Sequence, residues 1–357
     1  MAYSTINKPE DYFNTVLYTG DGNTTQAITG VGFQPDWLWI KHRDGVSDHQ
    51  LSDIVRGKSG SLYYQIQTNG TGAQVVQPDD DGVHSLDSDG FTVGYTNSTA
   101  WNQNSSTYAA WNWLAANGTS SNTDGDITST VSTNTTSGFS IVSYTGNATA
   151  GATIGHGLGQ KPDFIIVKAT NNASQNWLIY HSDLGAGKYL FMNTTGAVTT
   201  NNNVWNGTEP TSSVFSVESN NATNGSGITY IGYCFAEKKG FSKFGSYTGN
   251  GSSDGTFIYT GFKPAFVIIK DTSAVNNWRL FDNKRPAFNQ TDKLLFPSLS
   301  NVETVNVAGS GAIDITSNGF KCRSAASGIN GSGSTFIYMA FAERSLVGTN
   351  GVPALAR

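Results

Sequence analysis

GFKPAFVIIK, Gly261–Lys270, places a glycine and a proline ahead of five almost uninterrupted apolar residues and ends on a charge. The phrase has two earlier versions, GFQPDWLWIK at Gly32–Lys41 and GQKPDFIIVK at Gly159–Lys168. Pro35, Pro162 and Pro264 each precede the closing lysine by the same interval. A short apolar run between turn signals reads as a strand covered on both faces, one by the opposing sheet and the other by loops or a neighbouring domain. Threefold recurrence makes the lysine a property of a repeat before it is a candidate catalyst. Lys41, Lys168 and Lys270 are therefore expected to lay their stems on the core, carry their ammonium groups to water and meet a partner such as a loop aspartate.

Working outward, a Tyr-Thr-Gly triplet precedes each phrase, at Tyr18, Tyr144 and Tyr247. Trp177 and Trp278 follow the second and third phrases, whereas the first continues as HQLSDIVRG without a tryptophan. Each unit then has a mid-unit strand at Phe91, Phe215 or Phe320 and closes on an aromatic strand: STYAAWNWLAA, GITYIGYCFAEK or STFIYMAFAER. The units are about 100 residues long, far beyond a solenoid repeat and close to one small β-sandwich.

The expectation is an all-β chain of three tandem homologous β-sandwich domains. Residues 1–116 form the first with its N-terminal arm, 138–239 the second and 240–345 the third, with 346–357 as a C-terminal tail. Residues 117–137 are almost wholly Gly, Ser, Thr, Asn and Asp and read as a flexible linker, which would leave the first domain separable. Lys238–Gly240 leaves almost no linker before the third.

Composition agrees with packed β-structure: 13% of residues are charged, 12% are aromatic and 41 are glycine. Disorder needs more charge and fewer rings. A net charge of −5 with no basic block gives no nucleic-acid footprint. No run approaches the roughly 20 apolar residues of a spanning helix, so no membrane insertion is expected. MAYSTINKPEDYFNT has neither the basic head nor the apolar stretch of a signal peptide.

Catalytic and metal motifs are not expected. His42, His49, His84, His156 and His181 show no ligand spacing and do not recur between units. Cys234 and Cys322 read as free buried thiols. The glycines of GHGLGQ, Gly155, Gly157 and Gly159, lead into a strand, whereas a phosphate loop leads into a helix. Asp79–Asp81, with Asp87 and Asp89 nearby, read as turn acids, with calcium as the alternative. No catalytic residues, metal or cofactor are assigned. Trp101 in NSTAWNQNSS and Trp205 in NNNVWNGTEP lie in polar loops and are the candidate glycan contacts, since an exposed ring beside amides suits a sugar's apolar face.

The succession YTGNG, GFKPxFVIIK, NWxxxDNKR, SNGFKxR and YMAFAE, with INKPEDYFNT and NGVPALAR at the ends, resembles virion structural proteins of marine tailed bacteriophages along essentially the whole chain. That resemblance implies concanavalin-like (jelly-roll) units, synthesis in the host bacterial cytoplasm and display on the phage particle. Sequon-like Asn23, Asn69, Asn97, Asn117, Asn193 and Asn250 would then be plain turn formers. The implied function is a non-enzymatic tail-fibre or adhesin component binding host-surface glycans; the alternative is a capsid decoration or head-fibre protein without a specific ligand. Other virion proteins are the implied partners, and symmetric display implies a homo-oligomer.

Overall fold

Three sets of strands repeat one pairing scheme in the computed structural model, which describes residues 4–77, 80–286, 288–305 and 311–345. In the larger sheet of each unit, the opening strand lies beside the closing strand, followed by the strand of the proline phrase and then the next strand. The order is Phe13–Thr19, Thr107–Trp113, Trp37–His42 and Gln50–Asp53 in the first unit. It is Phe139–Thr145, Thr229–Phe235, Phe164–Ala169 and Leu178–His181 in the second. It is Ser242–Thr248, Thr335–Ser345, Phe262–Asp271 and Arg279–Asp282 in the third. A smaller antiparallel sheet accompanies each, built on the pairs Gln26–Thr29 with Gly90–Val93, Ala152–Gly155 with Val214–Val217, and Phe257–Tyr259 with Gly319–Cys322. The chain is nearly all β, and every strand pairing named here is antiparallel.

The apolar runs are continuous because successive residues enter different cores. Trp37 and Trp39, Phe164 and Ile166, and Phe266 and Ile268 all enter one cluster shared by the three units. Leu38 and Ile40, Ile165 and Val167, and Val267 and Ile269 instead fill three separate clusters, one per unit. Strand pleating makes this division automatic. Aromatic rings dominate the shared core: Trp37 stacks on Tyr233 at 4.5 Å, Trp113 meets Phe266 edge-on at 5.4 Å, and Phe235 meets Phe341 at 5.8 Å. Each pair crosses a unit boundary. Such contacts add about 0.5–1.5 kcal/mol apiece beyond burial.

The lysines close the same boundaries. All three are fully buried, so their ammonium groups do not reach water as expected. Lys41 Nζ donates to the carbonyls of His42 (2.6 Å) and Ser300 (3.3 Å), Lys168 to Ala169 (2.8 Å) and Thr71 (3.2 Å), and Lys270 to Asp271 (2.7 Å) and Thr195 (3.3 Å). Every lysine thus bonds one carbonyl on its own strand and one on a neighbouring unit, in a cyclic sense. Backbone bridges flank each: Ser47 N–H to Ser300 O with Glu303 N–H to Arg43 O, Ser174 to Thr71 with Gln74 to Thr170, and Asn276 to Thr195 with Val198 to Thr272. Trp177 and Trp278 donate across the same boundaries to the carbonyls of Gln67 and Phe191, both at 2.8 Å. His49 stands at the corresponding position of the first unit, eight residues after Lys41 as Trp278 is after Lys270.

The Tyr-Thr-Gly triplet is also structural. Tyr18, Tyr144 and Tyr247 donate to the carbonyls of Trp101, Thr223 and Ile329 at 2.7, 2.7 and 2.6 Å. The residues that follow, Asn102, Asn224 and Asn330, are fully buried and receive the N–H groups of Asp21, Asn147 and Asn250. Glycine is required at Gly20, Gly146 and Gly249, because a Cβ there would collide with the carbonyls of Gln103, Gly225 and Gly331.

The segment expected to be a linker is folded. Ser120–Asn122 pairs with Ser129–Asn134, which pairs with Phe139–Thr145 and extends the second unit's larger sheet. Ile127 and Val131 anchor it on that unit's core. Threonine is a good strand former, and polar residues satisfy a ladder as well as apolar ones, so a Ser/Thr/Asn composition did not separate edge strand from tether. The 346–357 tail lies outside the described residues.

Candidate functional site

Trp101 and Trp205, the expected glycan contacts, are both buried, at 1% and 2% exposure. Trp101 lies in the first unit's own core and Trp205 in the second's, where it meets Tyr180 edge-on at 6.1 Å. Their polar neighbours hid this: the loops fold back and insert the single large ring while Asn and Ser stay outside. The structure does not bring the two rings together on a ligand surface.

Asp81 is a turn anchor. Its carboxylate accepts the N–H groups of Thr96 at 2.6 Å, Asn97 at 2.9 Å and Ser98 at 2.9 Å. Asp87 accepts the Thr92 hydroxyl, and Asp89 accepts the N–H groups of Gly30 and Gly32. Asp79 lies outside the described residues. Among the described residues no group of three or more His, Cys, Asp or Glu side chains gathers as a metal site would need, and both cysteines are free and buried. No helix among them is long and apolar enough to cross a membrane.

A different surface has the features of a binding site. A cleft of about 500 Å³ lies where the second unit meets the third, lined by Asp163, Asp183 and Glu237 on one side and by Phe257, Tyr259 and Tyr338 on the other. Phe257 and Tyr259 belong to an edge strand, Phe257–Tyr259, whose middle residue Ile258 turns into the third unit's core. Alternation therefore turns both rings outward, and they are 45% and 51% exposed.

The other units make these two rings conspicuous. Ile28, Ile154 and Ile258 each pair with the mid-unit phenylalanine, Phe91, Phe215 or Phe320, which fixes the correspondence. Phe257 then stands where the other units have Ala27 and Thr153, and Tyr259 where they have Thr29 and Gly155. The fold is thus built twice without rings at these places. Period-2 alternation in TFIYTG, set against its two counterparts, is the sequence signal that reveals them.

Polar groups in the cleft are held in place. Asp163 Oδ2 accepts the Glu237 N–H at 2.7 Å, and Glu237 forms an ion pair with Lys243 at 3.0 Å. Asp183 is exposed. Burial, reinforced by the charges of Glu237 and Asp183, raises the Tyr338 pKa, so its phenol remains a hydrogen-bond donor. Gly245 makes room for that phenol, since a Cβ there would stand 2.8 Å from the hydroxyl oxygen. Fixed acceptors, a phenolic donor and exposed rings are the elements by which proteins bind polyhydroxylated ligands.

A family model described as a domain of unknown function (DUF7483) matches residues 8–345. The chain belongs to this family. The match runs through all three units, as befits units that share one core. No curated protein matches the chain.

Proposed function

We propose that the protein is a surface structural component of a bacteriophage particle, of the tail-fibre or adhesin kind, that binds host-surface glycans in the cleft beside Phe257 and Tyr259 without catalysis. The observation that carries the binding role is the placement of two exposed aromatic rings at positions where the sister units have only small residues. Flanking carboxylates and the Tyr338 phenol supply acceptors and a donor for sugar hydroxyls. The phage setting rests on the resemblance of the repeated phrases. Each pair of larger and smaller sheets is read as one concanavalin-like sandwich, with the three sandwiches fused around a common core.

Glycan-array binding of the purified protein tests the reading. Wild type binds a defined set of glycans, and Phe257→Ala with Tyr259→Ala removes that binding at unchanged thermal stability. Binding that survives the double substitution refutes the cleft, and no binding to host glycans refutes the adhesin role. Capsid decoration without a ligand is the second reading. It is favoured by the structural use of most repeated motif residues, the three lysines and three tyrosines included. Cryo-electron microscopy of intact particles separates tail from capsid.

A further inference from the structure

The residue after the proline of the repeated phrase is Asp36 in the first unit, Asp163 in the second and Ala265 in the third. The two aspartates do the same work. Asp36 Oδ2 accepts the N–H groups of Ala115 (2.6 Å) and Asn117 (3.0 Å), and Asp163 Oδ2 accepts that of Glu237 (2.7 Å). Ala115 and Glu237 each lie two residues past the closing-strand aromatic, Trp113 or Phe235; the counterpart in the third unit is Glu343, past Phe341. There the carboxylate is replaced by a methyl group.

A cavity of about 230 Å³ occupies this place, lined by Ala265, Asn283, Lys284, Glu343, Arg344 and Glu10. Asn283 is only 7% exposed, and its Oδ1 has no hydrogen-bond partner among the described residues. A carboxylate only accepts, so it is the Nδ2 of this amide that would serve one, while the Oδ1 takes a hydroxyl on a body behind it. Lys284 and Arg344, both exposed, bring positive charge; Glu10, also exposed, opposes it, while the Glu343 carboxylate is already paired with Lys263 at 3.1 Å.

We propose that this cavity binds a small molecule bearing a carboxylate, and that the ligand's carboxylate takes the place that Asp36 and Asp163 fill in the sister units. The space exceeds one carboxylate and admits a compact body behind it, such as a sugar ring or a short organic acid. The proposal is independent of the glycan cleft, which lies on the boundary between the second and third units.

Thermal unfolding of the full chain against sodium acetate, sodium glucuronate and neutral galactose, at matched ionic strength, tests it. A ligand that binds only the native state raises Tm saturably. Acetate and glucuronate do so and galactose does not. A midpoint at least about tenfold lower for glucuronate identifies an acidic sugar, and equal midpoints identify a simple organic acid. Ala265→Asp supplies the carboxylate internally and abolishes the response. If that variant does not fold, Lys284→Gln with Arg344→Gln raises the acetate midpoint by about threefold or more. No saturable response to either carboxylate overturns the proposal, as does an Ala265→Asp protein that responds like wild type or a charge variant with an unchanged midpoint.

Discussion

The phenol of Tyr233 in the second unit donates to the carboxylate of Asp53 in the first at 2.8 Å, and the indole of Trp111 in the first donates to Asp282 in the third at 3.1 Å. Each aspartate is fully buried and paired with an arginine three residues on, Arg56 or Arg285, whose Nη2 also donates to Leu51 O or Leu280 O at 2.9 Å. The remaining corner of the pseudo-threefold arrangement changes every member together. Met339 occupies the donor position, His181 replaces the aspartate, and Leu184 replaces the arginine. His181 is neutral, because burial pushes its pKa down to about 4. Its Nδ1 accepts the Asp183 N–H at 3.1 Å, which leaves the Nε2 hydrogen to the Tyr338 carbonyl at 3.4 Å. A charged set and a neutral set each satisfy their own buried groups, and a mixture would not.

The corners should therefore resist partial exchange. His181→Asp alone places an unpaired carboxylate in the interior and is expected to cost about 3–5 kcal/mol. Adding Leu184→Arg recovers part of that loss, and Met339→Trp recovers more. Tyr233→Phe, which removes one bond to a charged acceptor, should cost about 1.5–3 kcal/mol. Urea unfolding of the four variants measures these values. A single His181→Asp substitution that leaves stability unchanged would contradict the account.

The repeat, its strands and its buried phrases were legible because apolar runs and turn residues report local geometry directly. WLWIK, FIIVK and FVIIK could each be seen to need cover on both faces. A neighbouring unit was among the covers the runs called for, but two facts depend on contacts distant in sequence and were not legible: that a single core is common to all three units, and that the lysines donate to neighbouring carbonyls rather than to water. Trp101 and Trp205 misled for a related reason, since polar flanks describe the surface of a loop and not where its one large side chain goes. Phe257 and Tyr259 become recognisable only when strand pairing aligns Ile258 with Ile28 and Ile154.

The shared core should make the first unit inseparable. Trp37, Trp39, Trp111 and Trp113 are buried partly against residues of the other units, and excision would expose them. A protein ending near residue 116 is expected to be insoluble or molten, and limited proteolysis of the intact chain should not release a stable fragment from a cut within 117–137. Mass spectrometry of the digest decides. A folded fragment of residues 1–116 with sharp amide dispersion would show that the shared core is dispensable.

Asp36 should give stability an unusual dependence on pH. Burial is the largest influence and raises its pKa from 3.8 to about 6; the Asn117 and Ala115 amides oppose this, and Asp53 adds to it. A raised carboxylate pKa means that the native state binds more protons than the unfolded chain between these values. Its contribution therefore falls as pH rises through that window, by a total on the order of 3 kcal/mol. Asp36→Asn keeps an acceptor oxygen and removes the titration. The variant should gain on wild type from pH 4 to pH 7, and the two should converge near pH 4. A difference in unfolding free energy that does not vary with pH would rule this out.

Trp101→Ala and Trp205→Ala should behave as core truncations. Each deletes a fully buried ring and is expected to cost about 3–5 kcal/mol. The spread reflects how far each loop collapses into the space left behind. Phe257→Ala and Tyr259→Ala remove rings that are about half exposed on an edge strand whose counterparts manage with Ala, Thr and Gly, so stability should change by about 0.5 kcal/mol or less. Glycan binding should follow the opposite order: lost with the exposed pair and kept by the tryptophan variants at temperatures where they remain folded. Differential scanning calorimetry and array binding on the same four proteins give both orders. Binding lost in a folded Trp205→Ala protein, with Tyr259→Ala unaffected, would move the site away from the cleft and back to that loop.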